Sequence, residues 1–242
     1  MLDLMQRVLC HPYDYIGILN RRVLYLKEII EEAESVYTFR FEPKNSIGWL
    51  SGQHGIFFLP KFTELRDSKR AFSIASTSSE KFIQISTIIP AQPSKFKAQL
   101  LQLKIGDSVT MFGPFGEFYL KENVGHIVGV AGGIGITPFR SLLYDVVQSG
   151  RDDIKINLLY GGKSDTYLYQ TELDEWSKNE NIAVSYLQGN ESVEQELLSM
   201  VDKFGNNATY YLSGPPLMVE SLTSLLSKSG IKKIISDPFK GY

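Results

Sequence analysis

The spacing of apolar residues changes near residue 122, and this change constrains the fold more than any other feature of the chain. From Arg21 to Leu120, short runs alternate apolar and polar residues, and clusters of Gly, Pro, Asn and Ser separate them. Such runs are typical of strands in an antiparallel barrel or sandwich. One predicted helix, Ser94–Leu103, interrupts them, with Ser94 at its N-cap.

From Gly125 onward, uninterrupted apolar runs alternate with amphipathic segments of helical spacing. This alternation predicts a doubly wound parallel sheet. The sequence therefore predicts a short N-terminal extension (residues 1–20), an antiparallel β-barrel domain (residues 21–121) and an α/β domain (residues 122–242).

Charge and cysteine content exclude several classes of function. The net charge of −2 gives no reason to expect a nucleic acid as a partner. The single cysteine, Cys10, cannot form a disulfide within the chain or supply the four thiolates of an iron–sulfur cluster. The three histidines lack the spacing of metal ligands, so no metal site is predicted. We expect a cytoplasmic protein without a membrane span, because the chain shows no signal-peptide pattern and its longest apolar run is short.

Two predicted strand ends in the α/β half suit a dinucleotide. In AGGIGITP, three glycines let the backbone approach a ligand and Thr137 can cap the next helix. The free N–H groups of such a loop, together with a helix N-terminus, suit a pyrophosphate. In LSGPPLM, Ser213–Pro216 ends a second strand at the same edge of the sheet. Either turn alone could be ordinary, but together they predict a dinucleotide site.

Three features of the barrel half suit a flat, phosphorylated ligand. RAFS offers a phosphate donor, an aromatic ring and a hydroxyl in Arg70, Phe72 and Ser73. Ser94 begins a helix, whose N-terminus favours anions. Two glycines of GPFGEF bracket an aromatic residue and allow close approach of a ligand: Gly113 and Gly116. Each feature also has an ordinary explanation, namely a surface ion pair, a plain cap and a barrel-closing turn.

Taken in order, these segments resemble the ferredoxin–NADP reductase family of flavin-dependent oxidoreductases. RAFS is similar to the R-x-[YF]-S flavin signature, PSKF to the second flavin segment and GPFGEF to the barrel-closing G-P-x-G. AGGIGITP is similar to the pyridine-nucleotide loop, and LSGPPLM to the C-G-P-x-x-M segment. The resemblance spans Tyr25 to Tyr242 and implies a flavin-binding barrel followed by a nucleotide-binding α/β domain.

The resemblance implies FAD, rather than FMN, as the flavin. Arg70 would bind the flavin pyrophosphate, Phe72 would lie against the isoalloxazine, and Ser73 would act as a catalytic residue near N5. Ser94 would hold the phosphates, and the turn glycines Gly113 and Gly116 are assigned to the same cofactor site.

The resemblance also implies a nicotinamide nucleotide, NADH or NADPH, as the electron donor. Ser213, beside the nicotinamide, is the second candidate catalytic residue, and Phe239 near the chain end is a candidate cover for the flavin. The other residues implied to bind NAD(P)H are Gly132, Gly133, Gly135, Thr137, Gly214 and Pro215.

Three departures from the family pattern bear on these assignments, and two further stretches bear on the choice between NADH and NADPH. Phe72 stands where many members have tyrosine, and Ser213 where many have cysteine. The stretch Thr87–Ile89 lacks the basic residue that some members use as another phosphate contact. Lys163 is placed where some NADPH-using relatives have arginine, but YLQGN lacks their Ser-Arg pattern. The sequence therefore favours NADH and leaves NADPH open.

The implied reaction is hydride transfer from nicotinamide C4 to flavin N5, followed by electron transfer to a separate acceptor. That acceptor would be an iron–sulfur protein such as ferredoxin, a flavodoxin or another redox protein. Two alternatives remain open: an NAD(P)H:flavin reductase that uses free flavin as substrate, and a non-catalytic electron-relay or binding subunit. No motif identifies the acceptor or the oligomeric state.

Overall fold

The chain divides into two compact units, Met1–Tyr119 and Leu120–Tyr242. The structure, a computed structural model, describes residues 8–59, 68–121, 125–162 and 166–238. Among these residues, every helix is too short or too polar to cross a membrane.

The first unit is a six-stranded antiparallel sheet with the order β4-β3-β6-β1-β2-β5. Its strands are β1 (Arg21–Ala33), β2 (Val36–Pro43), β3 (His54–Phe58), β4 (Lys69–Ser73), β5 (Ile83–Ile88) and β6 (Ser108–Phe115). The two edges approach each other, because Ala75 N, just after β4, donates to Gln84 O of β5 at 2.8 Å. The sheet is therefore curled, and the predicted antiparallel barrel architecture is confirmed.

The barrel core is built mainly from inward-facing aromatic and aliphatic residues of alternating strand positions. Phe39 and Phe41 of β2 are fully buried, as is Phe57 of β3. The helix α2 (Lys95–Leu101) adds Phe96 and Leu100 to the same core. Burying each such side chain contributes about 1.5–3 kcal/mol to stability. Because alternate residues of a strand share one face, the apolar alternation in the sequence specifies the face that turns inward.

The described part of the N-terminal segment packs onto the end of β6. It forms the short helix α1 (Pro12–Tyr15) and a 3₁₀ turn, Ile16–Leu19. Gly116 N donates to Asp14 O at 2.7 Å, and Tyr119 Oη donates to Asp14 Oδ1 at 2.7 Å. Tyr15 is buried and donates from its hydroxyl to Glu117 at 2.9 Å. This segment is therefore held by main-chain and side-chain bonds as part of the barrel unit.

The second unit is a five-stranded parallel sheet with the order β11-β10-β7-β8-β9. Its strands are β7 (His126–Gly132), β8 (Lys155–Gly162), β9 (Ile182–Gln188), β10 (Thr209–Gly214) and β11 (Ile234–Pro238). The intervening helices are α3 (Ile136–Ser149), α4 (Gln170–Trp176), α5 (Asn190–Phe204) and α6 (Pro216–Lys228). From β7 the chain builds the sheet in one direction and then returns to add β10 and β11 on the other side. The predicted doubly wound α/β architecture is confirmed.

Close packing in this sheet explains one glycine of the apolar strand β7. A Cβ on Gly129 would lie 2.6 Å from Cε1 of Phe139. Phe139 belongs to α3 and is buried, so the helix rests its aromatic ring directly on the strand backbone. This contact sets the height of α3, and of its N-terminus, above the sheet.

The contact between the N-terminal segment and the barrel gives a stability prediction. A Cβ on Gly17 would lie 1.8 Å from Pro114 O, so Gly17→Ala must displace the segment. We expect it to lower the free energy of unfolding by about 1–3 kcal/mol, as measured by urea denaturation.

Gly48→Ala is the matched control, since no atom lies within 4 Å of the added Cβ. We expect a change within about 0.5 kcal/mol for this control. Equal changes in the free energy of unfolding for the two substitutions would show that packing of the N-terminal segment does not stabilise the barrel unit.

Candidate functional site

Two loops meet at the carboxyl ends of β7 and β10, the adjacent strands between which the strand order reverses. Gly132 ends β7, and the 3₁₀ turn Gly133–Gly135 leads from it into α3. Gly214 ends β10, and α6 begins two residues later at Pro216. The strands are in register here, with Ser213 opposite Ala131. In doubly wound sheets this position forms the crevice that binds ligands.

The backbones of the two loops touch, and glycine is required for that contact. A Cβ on Gly135 would lie 2.2 Å from Ser213 O, and one on Gly132 would lie 2.5 Å from Met218 Sδ. A Cβ on Gly214 would lie 3.1 Å from Gly132 N. The glycines that were predicted to let a ligand approach therefore also let the two loops pack against each other.

The N-terminus of α3 has no side-chain cap among the described residues, and its N-cap is Gly135. The prediction that Thr137 caps this helix is wrong. Thr137 lies inside the first turn, where its hydroxyl donates to Ile134 O at 2.8 Å. Ile136 N, the first of the helix, donates to Gly133 O of the 3₁₀ turn, and the positive end of the dipole of this 14-residue helix faces the loop without a side-chain cap. This arrangement fits a pyrophosphate.

Ser213 carries a buried hydroxyl at the end of β10. The residue is 0% exposed, and its Oγ has no hydrogen-bond partner in the described part of the chain. A buried hydroxyl without a partner costs about 1–3 kcal/mol, so it is expected only where a further group supplies the bond. This observation fits the placement of a polar ligand group beside Ser213.

Some predicted site residues cannot be placed. Phe239 and Lys163 lie outside the described residues. Asp237, two residues before Phe239, is paired in register with Ser213 across β10 and β11. The chain therefore runs toward the carboxyl edge of the sheet as it approaches Phe239.

Arg70 and Ser94 lie close together in the barrel unit. Arg70 of β4 donates to Lys69 O at 2.7 Å, and its guanidinium lies 5.6 Å from the ring centroid of Phe96 in α2. The predicted N-cap is confirmed: Ser94 Oγ accepts a hydrogen bond from Lys97 N at 3.4 Å. One strand and one helix end thus bring a guanidinium and a hydroxyl to the same region.

Lys97 is a cation of this region that sequence reasoning missed. Its Nζ donates to Ile88 O at 2.7 Å, beside the Thr87–Ile89 stretch that itself lacks a basic residue. Burial and the nearby Arg70 guanidinium hold the pKa of Lys97 below its usual range. Lys97 follows the N-cap Ser94 by three residues, so the two residues lie on one side of the helix. This spacing is the sequence signal that could have identified Lys97.

Phe72 and Ser73, at the end of β4, are both enclosed. The Phe72 ring is 8% exposed and lies 5.6 Å from the Phe57 ring and 5.9 Å from the Phe96 ring. Ser73 is also buried. The Phe72 ring thus packs against the barrel core, where a ring without a hydroxyl gains by leaving water, and its placement against a flavin ring stays a prediction.

The glycines of GPFGEF contact other parts of the barrel unit. Gly113 N donates to Asn20 O, and Gly116 N donates to Asp14 O. A Cβ on Gly116 would lie 2.6 Å from Cε1 of His54. Both glycines therefore allow close approach of neighbouring parts of the barrel unit, and the close approach of a flat ligand stays a prediction.

The family described as "Oxidoreductase NAD-binding domain" matches residues 130–224, which contain both glycine loops. One subunit of the Na(+)-translocating NADH-quinone reductase from Pasteurella multocida (strain Pm70) is 31% identical over 199 residues, covering 71% of this chain and 49% of the relative. The corresponding protein of Haemophilus influenzae (strain PittGG) is 29% identical, covering 71% and 48%. The chain thus spans about half the length of these relatives.

Solved structures of several oxidoreductases share the fold. Ferredoxin-NADP+ reductase from Plasmodium falciparum superposes with a TM-score of 0.78 at 20% identity, covering 91% of this chain and 97% of that one. The cytochrome P450 reductase GcoB of Amycolatopsis gives a TM-score of 0.78 at 19% identity, covering 91% and 70%. A flavohemoglobin from Malassezia yamatoensis, solved with bound FAD and heme, gives 0.75 at 19% identity, covering 90% and 60%.

The packed loops give a prediction for nucleotide binding. Gly135→Ala would place a methyl group on the Ser213 carbonyl and force the loops apart. We expect it to weaken NADH binding at least tenfold, or about 1.4 kcal/mol, in isothermal titration calorimetry.

Gly125→Ala serves as the control, because the atom nearest its added Cβ is Asp153 O at an ordinary 3.7 Å. Unchanged NADH affinity in Gly135→Ala would show that the loop contact does not shape the site.

Proposed function

The chain belongs to the ferredoxin–NADP reductase family of FAD- and NAD-binding oxidoreductases, and from this premise we propose that it oxidises NADH with FAD and passes the electrons to a separate acceptor. The observation that carries the proposal is the pair of packed glycine loops at the switch point. They combine the uncapped N-terminus of α3 with the buried Ser213 hydroxyl in one crevice.

On the nucleotide side, the N–H groups of Gly133, Gly135 and the first turn of α3 would bind the pyrophosphate. Ser213 would offer its hydroxyl to the nicotinamide end, where Gly214 and Pro215 line the crevice. These groups would orient the donor, because the close contact holds the two loop backbones together.

On the flavin side, Arg70 and Lys97 would hold the FAD pyrophosphate with two positive charges, and Ser94 would add a hydroxyl contact. FAD supplies the redox chemistry when bound, because it accepts a hydride and can release electrons singly. Half-buried cations bind phosphate more strongly than exposed ones, since water screens them less. Ser73 is retained as a proposed contact near the flavin ring.

NADH is proposed as the donor in preference to NADPH. No Lys or Arg occurs from Ile182 to Asp202, which includes β9 and most of α5. Glu191 lies in the first turn of α5, directly after the end of β9. A 2′-phosphate at this stretch would meet a carboxylate and no Lys or Arg of residues 182–202, whereas a 2′-hydroxyl can donate to a carboxylate. The relatives reported above are named as parts of NADH-quinone reductases.

The acceptor is proposed to be a separate redox partner, as befits relatives named as one subunit of a larger reductase. Ferredoxin, flavodoxin and a quinone-reducing assembly all fit this class, and a cytoplasmic location is part of the same proposal. An NAD(P)H:flavin reductase is the second candidate. It is favoured by Phe72, since a phenylalanine at this position lacks the hydroxyl contact that a tyrosine would give to the flavin. Co-purification of stoichiometric FAD would exclude this second candidate.

Anaerobic titration with each nucleotide tests the proposal directly. We expect NADH to bleach the flavin absorbance of the FAD-loaded protein at a concentration at least tenfold below that needed with NADPH. Failure of both nucleotides to bleach the flavin would favour a non-catalytic relay subunit. Better bleaching by NADPH would overturn the choice of donor.

The role of Lys97 gives a separate prediction. We expect Lys97→Met to weaken FAD binding about tenfold through loss of one charge-assisted contact, as measured by quenching of flavin fluorescence. Riboflavin, which lacks phosphate, should bind equally well to wild type and variant.

Lys104→Met is the matched control, because Lys104 is an exposed lysine just beyond the same helix. Equal loss of FAD and riboflavin affinity in Lys97→Met would show that Lys97 supports the fold and does not bind phosphate.

A further inference from the structure

Arg140 of α3 is a buried cation outside the loops described above. Its side chain is 3% exposed and forms a two-point ion pair with Glu172 of α4, with Nε–Oε2 at 2.8 Å and Nη2–Oε1 at 2.7 Å. Its guanidinium also lies 5.4 Å from the Tyr169 ring centroid and 5.7 Å from that of Trp176. A buried guanidinium is costly unless its charge and donors are satisfied, so this geometry is strongly constrained.

The ion pair joins the start of α4 to α3, the helix that follows the glycine loop. Arg140 lies about one turn after the N-terminus of α3, and Glu172 lies in the first turn of α4. Tyr169, the N-cap of α4, has a left-handed backbone with φ of 65°, which is uncommon for an aromatic residue. The contacts of Arg140 with Tyr169 and Glu172 hold this entrance to α4 in place.

Tyr167, two residues before Tyr169, contacts the ends of β8 and β9. Tyr167 donates from its hydroxyl to Leu187 O near the end of β9 at 3.1 Å. Its ring lies 4.9 Å from the Tyr160 ring of β8 and 4.7 Å from the Tyr186 ring of β9. We call Tyr160, Tyr167 and Tyr186 the tyrosine wall. It stands at the carboxyl ends of β8 and β9, on the side of β7 away from β10.

We propose that the Arg140–Glu172 pair positions the tyrosine wall for the adenosine half of NADH. This inference rests on the proposed function. In doubly wound sheets the first glycine loop takes the pyrophosphate, and the adenosine half lies beyond the ends of the strands that follow, which here are β8 and β9. Arg140 connects the pyrophosphate loop with the tyrosine wall. Its helix, α3, begins at the loop, and its guanidinium contacts Tyr169 and Glu172 at the start of α4. Arg140 and Glu172 are positioning residues, because neither is placed against the reacting atoms.

A donor without the adenosine half separates this role from general support of the fold. Reduced nicotinamide mononucleotide carries the same reacting ring as NADH but has no adenosine to meet the wall. Loss of general support would lower activity with both donors alike. Loss of positioning lowers the preference for NADH, which appears in KM more than in kcat.

The experiment compares NADH and reduced nicotinamide mononucleotide as donors to the FAD-loaded protein, with ferricyanide as acceptor. For Arg140→Lys, which keeps the charge but loses the two-point fork, and for Glu172→Gln, we expect KM for NADH to rise about tenfold. The ratio of kcat/KM for NADH to that for the mononucleotide should fall by the same factor. Lys178→Met, which breaks the exposed Lys178–Glu175 pair near the end of α4, is the control and should leave the ratio unchanged.

An equal loss of kcat/KM with both donors, or no change in the ratio, would overturn the inference. Glu172 is 38% exposed, so Glu172→Gln is the milder variant and decides the outcome if Arg140→Lys does not fold.

Calorimetric binding of ADP-ribose, which needs no flavin and no hydride transfer, separates the two proposals. If wild type oxidises neither donor, the proposed function fails. The inference then stands if Glu172→Gln weakens ADP-ribose binding about tenfold, and it is overturned if the affinity is unchanged or wild type does not bind ADP-ribose.

Discussion

The α/β unit depends on a close backbone contact between Gly135 and Ser213, which leaves no room for a side chain at residue 135. A Cβ on Gly135 would come within 2.2 Å of the Ser213 carbonyl oxygen, so the loop after β7 rests directly on the loop after β10. This contact joins the two strands at the point where the sheet changes direction. It also leaves the first N–H groups of α3 at the crevice without a side-chain cap in the described structure, and these groups are what an anionic dinucleotide requires.

The barrel unit meets the corresponding requirement for a flavin by different means. The anion-binding groups there are side chains brought together by folding. Arg70 comes from a strand, while Lys97 comes from a helix whose Phe96 is buried in the barrel core. The pKa of Lys97 lies below its usual range because burial and Arg70 both disfavour its charge, and a bound phosphate would relieve that repulsion. In both units the protein contributes binding and charge, while the cofactors contribute the redox chemistry.

The parts of the fold that depend on local pattern could be predicted from the sequence, and those that depend on tertiary approach could not. The change from period-two runs to strand–helix alternation predicted both sheets, and the glycine loops predicted the crevice, because these signals reside in consecutive residues. Lys97 was missed because its hydrogen bond to Ile88 O connects a helix to a strand, and such a contact forms only when the chain folds. The cap assigned to Thr137 was wrong because a 3₁₀ turn moves the helix start to Ile136. The packing of Asp14 and Tyr15 on Gly116 and Glu117 joins residues about a hundred positions apart, which no local pattern reveals.

The central claim is that the two packed loops receive the pyrophosphate and nicotinamide of NADH. Amide hydrogen–deuterium exchange, compared with and without saturating NADH, tests it most directly. The account predicts slower exchange at Gly132–Thr137 and at Ser213–Met218, because bound nucleotide would engage these N–H groups and hold the loops together. Unchanged exchange in both loops, with protection confined to other parts of the chain, would contradict it.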